Sequence, residues 1–192
     1  GMKNDFDKMV VYAERTLQAD PKHYQAMLLL AGAIAQRTRE HDLDKEEKLK
    51  TVEKYVQQAN EALKTAPKPN PNLPDEQWEG LKKGFEAQRL EALGLAALAR
   101  TQNEKAIEFF KKAVETDPTP NPSTMLRLAV AYGKAGKYDD SIALLDKVMA
   151  LPNLHPQIRQ IAQAEKVRAV QAKSGGAPPA SNAPAQIEVK KP

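Results

Sequence analysis

One hundred and ninety-two residues, less a tail of about twenty, suit a single elongated domain, and abundant Ala, one Trp and four Phe fit an all-α chain. The absence of Cys excludes disulfides and thiolate metal sites, and no run of eighteen apolar residues exists that could span a membrane. Of the net charge of +4, Lys173, Lys190 and Lys191 against Glu188 supply +2, so the body is nearly balanced and has no basic run suited to nucleic acid.

Gly1 precedes Met2 and is left out of the fold reading. The first predicted helix runs roughly over 4–18, with Met9, Val10, Ala13 and Leu17 as its apolar stripe, and closes at Asp20-Pro21. A second, from Lys22 to about Thr38, carries Met27, Leu30, Ala31 and Ile34. Its partner over 45–65 carries Val52, Tyr55, Val56, Ala59, Ala62 and Leu63 before Pro67. Asp44-Lys45-Glu46-Glu47 reads as a capping box that starts this third helix.

Pro67 to Pro74 is a helix-incompatible connector. A long helix follows from Asp75 to about Arg100, with Trp78, Leu81 and Phe85 on one stripe and Trp78 as the anchor against the preceding pair. Gly80 and Gly84 offer a place where a neighbouring helix could approach closely.

From this helix onward one pattern is written twice. Leu93, Gly94, Ala97, Ala106 and Phe110 recur thirty-five residues later as Leu128, Ala129, Tyr132, Ser141 and Leu145, and the copies close at Pro118 and Pro152. Small residues at Gly94/Ala129 and Ala106/Ser141 allow two helices to cross closely, and the large ones fill the space beside the crossing. Asn121-Pro122 is an N-cap followed by Pro at the first helical position, and Gly136 lies in the turn before Tyr138 and Asp139-Asp140.

This pattern resembles the tetratricopeptide repeat: a helix with W-x2-L-G-x2-Y, a helix with A-x3-F, and a closing Pro. The resemblance implies an all-α superhelix of antiparallel hairpins, a tetratricopeptide-like solenoid of about eight helices. It divides residues 2–173 into a half repeat (4–21), a degenerate extended repeat (22–67), repeats at 75–118 and 122–152, and a capping helix (156–173) whose Gln160 and Gln163 leave one face wet. Pro21 and Pro67 stand forty-six residues apart, so the extended repeat holds about a dozen extra residues, expected around 37–47 and lengthening both helices and their turn. A half repeat at the front predicts that the natural protein continues upstream of Met2. Residues 174–192, rich in Ala, Pro and Gly, read as a flexible tail.

Candidate chemistry is thin. His23 follows a helix start and His155 stands at the N-cap before Pro156; His41, Asp42, Asp44, Glu46 and Glu47 form a cluster without the Gly of a calcium loop or the paired His of a zinc site. No nucleophile elbow, zinc-protease, phosphate-loop or dinucleotide motif occurs, so no catalytic residue, metal or cofactor is expected.

Function therefore rests on the resemblance, which implies a non-catalytic scaffold for a protein or peptide partner. In the family the first helix of each pair lines a concave groove, and its contact positions fall on Gln88, Glu91, Leu95, Leu98 and Ala99, on Ser123, Leu126, Val130, Gly133 and Lys134, and on Gln25, Leu28, Gly32, Ala35 and Gln36. The Lys and Asn of the family's clamp for acidic tails are missing from these positions. The expected floor is instead apolar, with Leu28, Leu95, Leu98, Leu126 and Val130, which suits an amphipathic helix or apolar segment. The alternative is that these side chains pack on one another as plain core. In place of peptide binding, the chain could be a self-associating module using the stripe Met9, Val10, Ala13 and Leu17, or an accessory domain of a larger exported protein. The resemblance is to bacterial repeat proteins, many of them exported, and no membrane insertion is implied.

Overall fold

The computed structural model describes residues 2–175, with side chains from Asp7 onward. Among the described residues there are eight helices and no strand: α1 Met2–Ala19, α2 Tyr24–Arg37, α3 Lys45–Thr65, α4 Asp75–Ala99, α5 Asn103–Thr116, α6 Pro122–Lys134, α7 Tyr138–Met149 and α8 Pro156–Lys173. The expected tail, beyond Ser174 and Gly175, lies outside the described residues.

Packing follows a two-step rule. Helices α2 and α3, α4 and α5, and α6 and α7 form hairpins, and the second helix of each hairpin carries the first helix of the next, as α3 carries α4, α5 carries α6 and α7 carries α8. α1 stands to α2 as these second helices stand to their successors. A single hairpin cannot bury both of its apolar faces, so stacking creates the core. Leu49 and Val52 of α3, Phe110 of α5, Leu126 of α6, and Leu145 and Val148 of α7 are each fully enclosed. Burying a side chain of this size contributes about 1.5–3 kcal/mol.

The repeat also dictates the turns. Thr101 N–H donates to the Leu98 carbonyl and Gln102 N–H to the Ala97 carbonyl; thirty-five residues on, Gly136 N–H donates to the Gly133 carbonyl and Lys137 N–H to the Tyr132 carbonyl. These are two Schellman closures in which the residue just past the helix is left-handed, Thr101 at φ 58° and Gly136 at φ 76°. The Asp-Pro closers work by side-chain turns: Asp20 Oδ1 accepts from Lys22 N–H at 3.0 Å, and Asp117 Oδ1 accepts from Thr119 N–H at 3.0 Å. Asn121 caps α6 as expected, its Oδ1 accepting from Ser123 N–H at 2.9 Å.

Several local expectations are corrected. The capping box at Asp44 is not formed: the Asp44 side chain makes no cap hydrogen bond and pairs with Lys48 at 2.8 Å, while Asp42 takes the Arg39 N–H and Lys48, each at 3.0 Å. The extra residues of the extended repeat go into the turn 38–44 and into the 21-residue α3, while the 14-residue α2 stays as long as α5. Thr38 sets that limit, because its backbone turns extended while its Oγ1 donates back to the Ile34 carbonyl at 2.8 Å. α2 begins at Tyr24, with His23 outside it as N-cap, its Nδ1 accepting from Ala26 N–H at 3.2 Å. Nothing lies within 4 Å of a Cβ added at Gly80 or Gly84, so no helix approaches them closely. Leu81 is 45% exposed and leaves the inward stripe to buried Trp78 and to Phe85, which meets Tyr24 edge-on at 5.1 Å.

Candidate peptide-binding face

The first helices α2, α4 and α6 supply the expected contact positions, and the structure sorts those positions into three groups. Leu126, Leu28 and Ser123 are buried; Leu126 is walled in by Ala129, Leu145 and Val148, and Leu28 packs near Met27 and Ala59. Leu126 has no exposed surface and Leu28 retains 4%, so neither could meet a ligand without repacking. Leu95, Leu98 and Val130 are half-buried, each with one side on a core cluster and the other open. Gln88 on α4 and Lys134 at the end of α6 are exposed. The apolar floor is therefore shorter than the spacing suggested.

Glu91 belongs to a polar network that spans three helices. Arg127 of α6 forms an ion pair with Glu91 of α4, Thr124 Oγ1 donates to the same carboxylate at 3.1 Å, and Arg127 Nη2 reaches Gln36 Oε1 of α2 at 3.5 Å. The arginine side chain retains 12% of its exposure and the glutamate 20%. Burial draws the Arg127 guanidinium down to about 10, which is still far enough above neutrality to keep it charged. A charge so enclosed needs its partner, and Glu91 supplies it.

Gln36 was among the expected contact positions; Arg127 and Thr124 were not singled out by spacing, although an arginine inside the apolar run from Met125 to Tyr132 is a visible signal. Beside the network, Ser123 Oγ is buried with no hydrogen-bond partner. Within the His41 cluster, Asp42 and Asp44 pair with Lys48, and Glu46 pairs with Arg100 at 3.0 Å. Among the described residues, no three His, Asp or Glu are placed to hold a metal ion, and no helix is long and apolar enough to cross a membrane.

A separate concavity of about 450 Å³ opens between α1 and α2, lined by Met9, Tyr12, Ala13 and Thr16 from one helix and Gln25, Ala26 and Leu29 from the other. Lys8 and His23 stand at it as well. Sequence periodicity placed Met9 and Ala13 on the apolar stripe but gave no reason to expect Tyr12, 64% exposed, at its edge.

Residues 97–167 match the family model for the tetratricopeptide repeat, from the second half of α4 through most of α8. No curated protein matches the chain.

Proposed function

We propose that this chain, whose residues 97–167 match the tetratricopeptide-repeat model, is a non-catalytic scaffold that takes a polypeptide segment along α4 and α6. Tetratricopeptide repeats generally mediate protein–protein interaction. The segment would lay apolar side chains over the open sides of Leu95, Leu98 and Val130, with Gln88 and Lys134 at the two ends of the face.

The observation that carries this reading is the Glu91–Arg127 pair. The two enclosed charges on this face answer each other within the protein, so a ligand meets apolar surface flanked by polar groups, with Lys134 as an exposed cation at one end. Such a face favours a segment anchored by apolar side chains, because carboxylates laid over Leu95, Leu98 and Val130 would be desolvated without a partner.

Capture from the native host tests it. Val130→Glu and Leu98→Glu should lose proteins that the parent chain and a Lys111→Ala control retain, while circular dichroism stays helical in all four. Retention of the same proteins by both Glu variants would move the binding surface off α4 and α6.

A further inference from the structure

On the reading of the α4–α6 face as a polypeptide site, we infer that residues 186–190 of this same chain dock there. Ile187 and Val189 lie on the apolar floor, and a partner segment has to displace them.

Lys173, the last residue of α8, pairs with Asp139 in the first turn of α7. Lys137, at the N-cap of α7, pairs with Glu104 in the first turn of α5 at 2.6 Å. Asn103 of α5 in turn donates to the Lys134 carbonyl, at the end of α6, at 3.0 Å. These contacts put Gly175 at the same end of the stack as Lys134 and as Leu98, which stands next to the last residue of α4. α8 packs on α6, and Arg127 of α6 reaches across to Glu91 of α4, so two helix-to-helix steps lead from α8 to the far side of the face. At the usual interaxial spacing this is about 20 Å. The chain from Gly175 to Ile187 can span up to about 40 Å.

The composition divides spacer from ligand. Residues 176–185 hold only Gly, Ala, Pro, Ser and Asn, with no charge and nothing suited to an apolar floor. After Val170, the large apolar side chains of the sequence are Ile187 and Val189. They alternate with Gln186, Glu188 and Lys190, so an extended backbone sets both on one side and the polar groups on the other. So short a strand is not stable alone and needs a surface to cover its apolar side. Leu95, Leu98 and Val130 each keep an open side to receive it.

Charge agrees with this placement. Lys134 is exposed and makes no ion pair among the described residues, and Glu188 is the acid carried between the two apolar anchors. Tethering supplies the rest: a spacer of this length holds the segment at an effective concentration of roughly millimolar, so a weak contact suffices.

The sequence has no Cys, so Lys191→Cys gives one attachment point for a nitroxide spin label in the full chain. Methyl NMR then reads which side chains lie near residue 191. Leu95, Leu98 and Val130 should lose most of their methyl signal, and should regain it when Ile187→Asp and Val189→Asp are added. Both Asp changes fall outside α1–α8, so the helical stack is the same in the two samples. Labelled chain mixed with isotopically enriched, unlabelled chain should leave these methyls sharp, because the contact lies within one molecule. Methyls that stay sharp in the labelled chain, broadening that survives the Asp changes, broadening centred on other residues, or broadening in the mixture (the mark of a second copy) would each overturn the inference. Capture by the Val130→Glu variant scores the proposed function separately. Capture lost with no contact from 186–190 leaves a face for foreign segments alone, and the contact without capture leaves a face that serves only this chain.

Discussion

Gly94 of α4 and Phe110 of α5 meet so closely that a Cβ on the glycine would stand 2.7 Å from Cε1 of the ring and 2.9 Å from Cζ. Phe110 is itself fully buried, so the ring has little room to retreat. The small residue in the repeat pattern is therefore set by the large one sixteen positions later, across the hairpin.

That relationship separates two glycines of one helix. Gly94→Ala should destabilise by about 1–3 kcal/mol through overpacking, despite the better helix propensity of Ala. Gly84→Ala, where a Cβ meets nothing within 4 Å, should stabilise by up to about 1 kcal/mol. Urea unfolding of the two variants reads both signs; a stabilised Gly94→Ala would mean that the α4–α5 crossing is looser than described.

The two Schellman turns make a second pair. Thr101 holds φ 58° where its counterpart thirty-five residues on is Gly136 at φ 76°. A β-branched residue in this region costs about 1–2 kcal/mol, and glycine returns about 0.5–1 kcal/mol of that through its unfolded-state freedom. Thr101→Gly should therefore gain roughly 0.5–1 kcal/mol, and Gly136→Thr should lose a comparable amount. Thermal melts in which Thr101→Gly loses stability would show that the Thr101 side chain contributes more than its backbone costs.

The Glu91–Arg127 pair gives a third expectation. Arg127→Met leaves a half-buried carboxylate facing Thr124 without its counter-charge, and should cost about 3 kcal/mol, the low end for a broken buried pair because Glu91 keeps 20% of its exposure. Replacing both, Glu91→Leu with Arg127→Met, should recover most of that loss, since the desolvation of two charges disappears together. A double-mutant cycle measured by chemical denaturation decides it. If the double variant is as unstable as the single one, Gln36 and Thr124 hold the network more than the ion pair does.

Most of the fold was legible because the repeat is written in residue size. Gly94, Ala106 and Phe110 announce a helix crossing, Asn121-Pro122 a helix start, and Asp117-Pro118 a close, and each does in the structure what its chemistry implies. The candidate face was less legible, because a period places a residue on a helix but not how deeply its neighbours cover it. Leu126 and Val130 are one turn apart on α6 and both matched the family's contact positions, yet one is enclosed and the other half-open. The difference comes from α7 and α8, whose Leu145, Val148 and Ile158 converge over Leu126. That depends on where the following helices sit, which spacing within α6 does not encode.

The same pair gives the sharpest test of the site. Leu126 has no exposed surface, so Leu126→Glu would place a carboxylate among Ala129, Leu145 and Val148 with no hydrogen-bond partner. The desolvation involved, of order several kcal/mol, approaches the whole stability of a domain of this size, and the variant should be unfolded or molten at room temperature. Val130→Glu leaves one side of its side chain in water, where the charge is hydrated, and should cost about 1 kcal/mol while keeping full helicity. Loss of partner capture by Val130→Glu would then report on the surface alone. Near-UV and far-UV circular dichroism of the two variants separates the cases, and a folded Leu126→Glu would return that residue to the binding face.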